Sequence, residues 1–91
     1  MNFQLFSLGK VVATPGVCDV VRGVEIQKAL YRHSIGDWGE ALPDEDRKAN
    51  NQALEWGDRL FSSYKSSKGV KFWIITEWDR SYTTVLLPDE Y

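Results

Sequence analysis

Cysteine is nearly missing from this chain. Its one thiol, Cys18, has no intramolecular partner, and neither a CxxC pair nor a Cys/His cluster is present to hold zinc. A disulfide framework and a structural metal are therefore not expected, and the cytoplasm is the expected compartment. Histidine occurs once, as His33, which leaves little for acid/base work. No apolar run approaches the ~20 residues a membrane helix needs, and Met1 to Lys10 has no basic leader followed by a sustained apolar stretch, so neither membrane insertion nor secretion is expected. Charge of one sign is lacking too. Eleven basic and 13 acidic side chains give a formal charge of -2, which argues against nucleic-acid binding by bulk phosphate neutralisation. A glycine-rich phosphate loop, a nucleophile elbow and HExxH are all missing, so no cofactor and no metal are expected.

What is there has the composition of an ordinary folded protein, with 91 residues, 43% hydrophobic and 26% charged. That length suits one domain, 1–91, built on one core. Leu8 to Ala13 reads as a short extended segment, because Val11 and Val12 are β-branched and Thr14-Pro15-Gly16 stops it. Thr14 suits an N-cap and Pro15 a first helical position, predicting a helix from about Pro15 to Arg22 that ends at Gly23. Ile26, Ala29, Leu30 and His33 recur at spacings of three, four and seven, one stripe of a helix from Val24 to Ser34. The clearest helix start is Leu42-Pro43-Asp44-Glu45-Asp46, where three carboxylates meet the positive end of the helix dipole. That helix should reach Trp56, end at Gly57 and turn Ala49, Asn50, Ala53 and Leu54 inward.

From Arg59 the period changes to two, and Ser66-Ser67-Lys68-Gly69 reads as a hairpin connection. Further strands are expected at Val70 to Glu77 and Thr83 to Leu87. The order β-α-α-α-β-β-β predicts an α+β fold, an antiparallel C-terminal meander with helices packed on one face and the first strand at an edge or in the middle. Val70, Phe72 and Ile74 on one side and Trp73 and Ile75 on the other place the second meander strand centrally. Its far side needs cover. Either the N-terminal Phe3, Leu5, Phe6 and Leu8 or a second copy in a homodimer would supply it.

Polar residues concentrate in two places. His33, near the end of its helix, precedes the tight loop Gly36-Asp37-Trp38-Gly39; a hydrogen bond to Asp37 or to a loop carbonyl would lock that turn, and an inward Asn50 would satisfy its amides. His33 and Asn50 are therefore read as structural. The second place is Thr76-Glu77-Trp78-Asp79-Arg80-Ser81, between two of the most apolar runs of the chain. Reversing the chain needs one or two turn-forming residues, so three charges, two hydroxyls and an indole exceed the need and point to binding. Glu77 and Asp79 are expected to pair with Arg80. The candidate binding residues are Asp37, Trp38, Glu77, Trp78, Asp79 and Arg80.

The segments Gly9 to Gly16, Arg32-His33 with Gly36-Asp37-Trp38-Gly39, Asn50 with Ala53-Leu54 and Gly57, and Ile75-Thr76-Glu77 through Asp79-Arg80-Ser81, Thr83-Thr84, Leu86-Leu87-Pro88 and Glu90-Tyr91 carry a resemblance. Over nearly its whole length the chain resembles a family of small proteins that recur on bacterial plasmids and integrated elements. It departs from them at Trp78, where related chains have a small residue, and in Val17 to Glu25. The resemblance implies a mobile-element setting, in which small acidic proteins act by binding and blocking host defence machinery. The expected function is thus a non-catalytic interaction protein, an anti-CRISPR or anti-restriction inhibitor acting on a protein partner. Two alternatives stand beside it. One is single-stranded nucleic-acid binding by Tyr64, Trp73, Trp78 and Tyr82 with Lys65, Lys68 and Lys71; the other is a small hydrolase using His33 with Asp37 or Glu77.

Overall fold

In the computed structural model, which describes residues 3–91, the elements follow the expected order. Strand β1 (Lys10–Ala13) leads into α1 (Pro15–Val20), α2 (Gly23–Ser34) and α3 (Asp44–Trp56). Then come β2 (Leu60–Lys65), β3 (Lys71–Thr76) and β4 (Tyr82–Leu86), with a 3-10 turn at Pro88–Glu90. The Thr14 hydroxyl accepts the Val17 N–H at 3.3 Å and Pro15 opens α1, as its sequence predicts. Helix α1 stops at Val20, earlier than expected, because Arg22 is extended and serves as the N-cap of α2. Gly23, expected as a stop, starts the next helix instead. Gly57 ends α3 in the left-handed region at φ 77°.

The sheet order is β1-β4-β3-β2, with β2, β3 and β4 antiparallel and β1 running parallel to β4 at one edge. Directly paired residues share a face, so register assigns the two sides. Leu60, Ser62 and Tyr64 pair with Thr76, Ile74 and Phe72, and Thr83 and Val85 continue that side. Helices cover it: Val17, Val21, Ile26 and Ala29 pack on Tyr64, Phe72, Ile74 and Val85, while Trp38, Leu42, Ala53 and Leu60 form a second cluster. Ala49, expected inward on α3, is exposed; Asn50 and Ala53 are the buried residues of that helix.

The other side carries Phe61, Trp73, Ile75, Thr84 and Leu86, with Tyr91 against Trp73 at 6.0 Å between ring centroids. The N-terminal segment does not cover it. Phe6 packs on the helix side with Trp38 and Leu42, and the Leu5 N–H donates to Ser34 O at 2.8 Å. Cover comes from the C-terminal turn, where Glu90 accepts from the Thr14 hydroxyl at 2.6 Å and from the Leu87 N–H at 2.8 Å. A hollow of about 190 Å³ among Arg59, Phe61, Trp73, Ile75 and Tyr91 remains on this side.

The outer edge of β2 is closed by side chain and loop. Asn50 Nδ2 donates to Phe61 O at 2.6 Å and Asn50 Oδ1 accepts the Phe61 N–H at 3.0 Å, so one amide imitates a neighbouring strand. Two residues along, the Ser63 N–H donates to Trp38 O at 3.1 Å. Gly39, at φ 93°, lets the loop come this close, since a Cβ there would collide with the Ser63 carbonyl. Asn50, expected to satisfy the 36–39 loop, bonds the edge of β2 instead. Replacing Asn50 with Ala strands both main-chain groups of Phe61 and should lower stability by about 2 kcal/mol in urea denaturation; a loss below about 0.5 kcal/mol would contradict this role.

Candidate functional site

Polar side chains on the helix-covered side of the sheet form a continuous buried relay. His33 comes from α2, Ser62 from β2, Thr76 from β3 and Thr83 from β4, and all four are completely buried. His33 Nδ1 meets Ser62 Oγ, His33 Nε2 lies 2.9 Å from Thr76 Oγ1, and Thr76 Oγ1 lies 2.7 Å from Thr83 Oγ1. The Thr83 hydroxyl donates to Leu8 O at 2.7 Å. Counting protons orients the whole line, because each hydroxyl has one to give. Thr83 gives its proton to Leu8 O, so Thr76 must donate to Thr83, and His33 Nε2–H must donate to Thr76. Ser62 then donates to the bare Nδ1.

The neutral imidazole completes this pattern with no donor or acceptor left over. Burial, and then the nearby Arg80 charge, push His33 down from 6.5 to about 3. Phe6 and Trp38 close over the ring edge-on, at 5.3 Å and 5.5 Å between centroids. A serine against a histidine has the parts of a nucleophile and its base, but here neither meets solvent and no carboxylate orients the ring. The pairing of His33 with Asp37 expected from sequence is absent. Asp37 is held instead by Arg32, whose Nε lies 2.7 Å from Asp37 Oδ2, and Arg32 Nη2 also reaches Glu40 at 2.6 Å. Arg32 holds the Asp37 carboxyl below its usual range, and Asp37 accepts the Gly39 N–H at 3.3 Å.

Trp38, expected among the binding residues, is only 3% exposed and belongs to the core. It folds back over α3, with its indole N–H donating to Asn51 Oδ1 at 3.3 Å. The loop 36–39 is thus a structural plug and offers no indole to a partner.

The corner at 76–81 is built differently from its expected form. Arg80 does not pair with Glu77 or Asp79. Its guanidinium donates to four main-chain carbonyls: Asp58 O at 2.6 Å, Glu77 O at 3.1 Å, Trp78 O at 3.2 Å and Ala53 O at 3.1 Å. Five N–H groups in a rigid fork suit this, because the end of α3 and the β3–β4 turn present several carbonyls close together; Ala53 O and Glu77 O use their second lone pairs, since they also accept the Gly57 and Arg80 N–H groups. The residue sits at φ 61°, uncommon for a side-chain-bearing residue, and those bonds hold it there. Asp79 accepts the Ser81 N–H at 3.0 Å, which closes the turn, and hydrogen bonding from the Ser81 side chain and then from its N–H holds the Asp79 carboxyl below the usual range. Trp78 is left outside at 66% exposure.

One of the two segments so clamped, the end of α3, carries Trp56 at 75% exposure. Trp56 lies between Ala53 and Asp58, the two α3-side residues whose carbonyls Arg80 holds. Sequence reading treated it as a helix end and missed it. The relay was also missed, although Ser62, Thr76 and Thr83 all lie at core parity between Leu60, Tyr64, Ile74 and Val85, where hydroxyls demand buried partners. The proposed nucleic-acid strip does not assemble, since Tyr64 is buried under the helices, Trp73 lies on the opposite side of the sheet and Trp78 stands in the turn. Among the described residues no group of three or more His, Cys, Asp or Glu gathers to hold a metal, and no helix is long and apolar enough to cross a membrane. No protein-family model, no curated protein and no solved structure matches this chain.

The buried imidazole makes stability depend on pH. Below pH 6.5 the unfolded chain binds a proton that folded His33 refuses until about pH 3, so stability falls as pH drops through that interval. The limiting slope is about 1.4 kcal/mol per pH unit. Carboxylates with lowered folded values, such as Glu90 and Asp37, add their loss mainly below 4.5. Urea denaturation between pH 6.5 and 4.5 therefore reads His33, and a flat stability across that window would contradict a neutral buried ring.

Proposed function

We propose that this chain is a non-catalytic binding protein whose contact surface is the Arg80-clamped corner. The observation that supports it is the pair of exposed tryptophans, Trp56 and Trp78, on two segments fixed to each other through one guanidinium. Exposing two indoles costs solubility, and a rigid aromatic anchor is what dominates protein interfaces. Pre-organisation by Arg80 lowers the ordering cost of binding.

Charge narrows the partner. Glu55, Asp58 and Asp79, which flank the two indoles in sequence, are exposed and Glu77 is half-buried, while the Arg80 cation is turned inward onto carbonyls. Aromatic faces and carboxylates together favour lysine and arginine, so the partner presents a basic surface. Host defence complexes handle nucleic acid through basic channels, and blocking one of these suits the mobile-element setting that the resemblance implies. Asp37 and Trp38 take no part in this surface.

Affinity capture with wild type and the Trp56→Ala, Trp78→Ala double variant tests the reading. Both side chains are exposed, so melting should be unchanged while partner recovery falls about tenfold or more, and wild-type recovery should weaken with added salt. Equal recovery by the double variant would remove the corner from the interface.

A further inference from the structure

The two edges of the sheet differ. On β2 both outward groups of Phe61 are taken by Asn50 and the Ser63 N–H by Trp38 O, whereas β1 is exposed along its whole length. The Lys10 N–H donates to Ser81 O at 3.1 Å and the Thr14 N–H to Val85 O at 3.0 Å, which turns residues 10, 12 and 14 toward β4. By alternation the N–H and C=O of Val11 and Ala13 point away from the sheet, and Val11 and Val12 stand 44% and 37% exposed. Valine at an open edge invites a second strand.

We propose that the occupant is a second copy of this chain, paired antiparallel through β1 about a twofold axis at Val12, so that two four-stranded sheets become one. This register is the one that uses both outward residues. Val11 of each copy exchanges both hydrogen bonds with Ala13 of the other, and the two Val12 side chains meet in the closer, non-hydrogen-bonded pair. A lysine at an edge ordinarily repels a second strand, yet here Lys10 falls opposite Thr14 of the second copy. That threonine hydroxyl donates to Glu90 Oε1 at 2.6 Å, so each Lys10 faces a carboxylate across the axis. Among the described residues Lys10 has no ion pair in its own chain. The twofold satisfies both lysines at once, and a foreign strand would need its own carboxylate there. Val12 shares its side of the sheet with Thr84 and Ile75, so the apolar side left open by the helices continues across the axis.

This inference does not use Trp56 or Trp78, and it stands or falls apart from the corner. Sedimentation equilibrium over a wide concentration range should show twice the 10.4 kDa of one chain. Val11→Pro removes an N–H that no bond inside the sheet uses, so dimer dissociation should become about tenfold or more easier. Lys10→Glu, a change at an exposed side chain, should weaken the dimer with the fold intact. In a Cys18→Ser background, Val12→Cys should form an intermolecular disulfide faster than Val24→Cys, placed at another exposed site. A wild type that stays monomeric would overturn the proposal and leave the edge to a strand of another protein. A dimer in which Val12→Cys cross-links no faster than Val24→Cys would overturn it equally.

Discussion

The fold depends on one buried line of hydrogen bonds, Ser62 to His33 to Thr76 to Thr83 to Leu8 O. It joins α2 to three adjacent strands and to the N-terminal segment, elements that are far apart in sequence. A typical hydrogen bond is worth only about 1 kcal/mol net, so the line is not a large source of stability by itself. Its force is in what an error would cost. Shifting β3 or β4 by one residue would carry Thr76 or Thr83 to the other side of the sheet and leave buried polar groups without partners. The relay therefore fixes register in a small sheet whose aliphatic contacts alone would tolerate slippage.

Much of this architecture is legible in the residues. Thr14-Pro15, the acidic start of α3 and Gly57 are local signals with local causes, and each marks a helix end in the structure. The change of period after Arg59 and the apolar character of β3 on both sides gave the meander and its internal strand. The candidate sites were less legible because their partners are remote. His33 has Asp37 as its nearest carboxylate in sequence, but Arg32 lies one turn back on α2 and takes it. Arg80 sits beside Glu77 and Asp79, yet the carbonyls it holds include two from the end of α3, 22 and 27 residues away. Trp38 and Trp78 look equivalent as glycine- or acid-flanked indoles, and only packing shows one buried and the other outside.

A hydrolase built on His33 loses its carboxylate and its access to solvent, and an aromatic strip for bases is split between the two sides of the sheet. The polar excess at 76–81 is mainly the turn's own hydrogen bonding, with Arg80 and Asp79 turned to main-chain groups. What remains on the surface is aromatic and acidic. In the proposed function recognition falls to Trp56 and Trp78, above a turn that Arg80 and Asp79 tie to main-chain groups.

The central claim is that His33 is a neutral, structural donor and acceptor inside the core. Nitrogen NMR of the imidazole reads this directly, since the chain has one histidine. The account predicts the neutral Nε2–H form, unchanged as the pH is lowered through 6.5 while the chain stays folded. A titration midpoint near 6.5, or the Nδ1–H form at neutral pH, would contradict it.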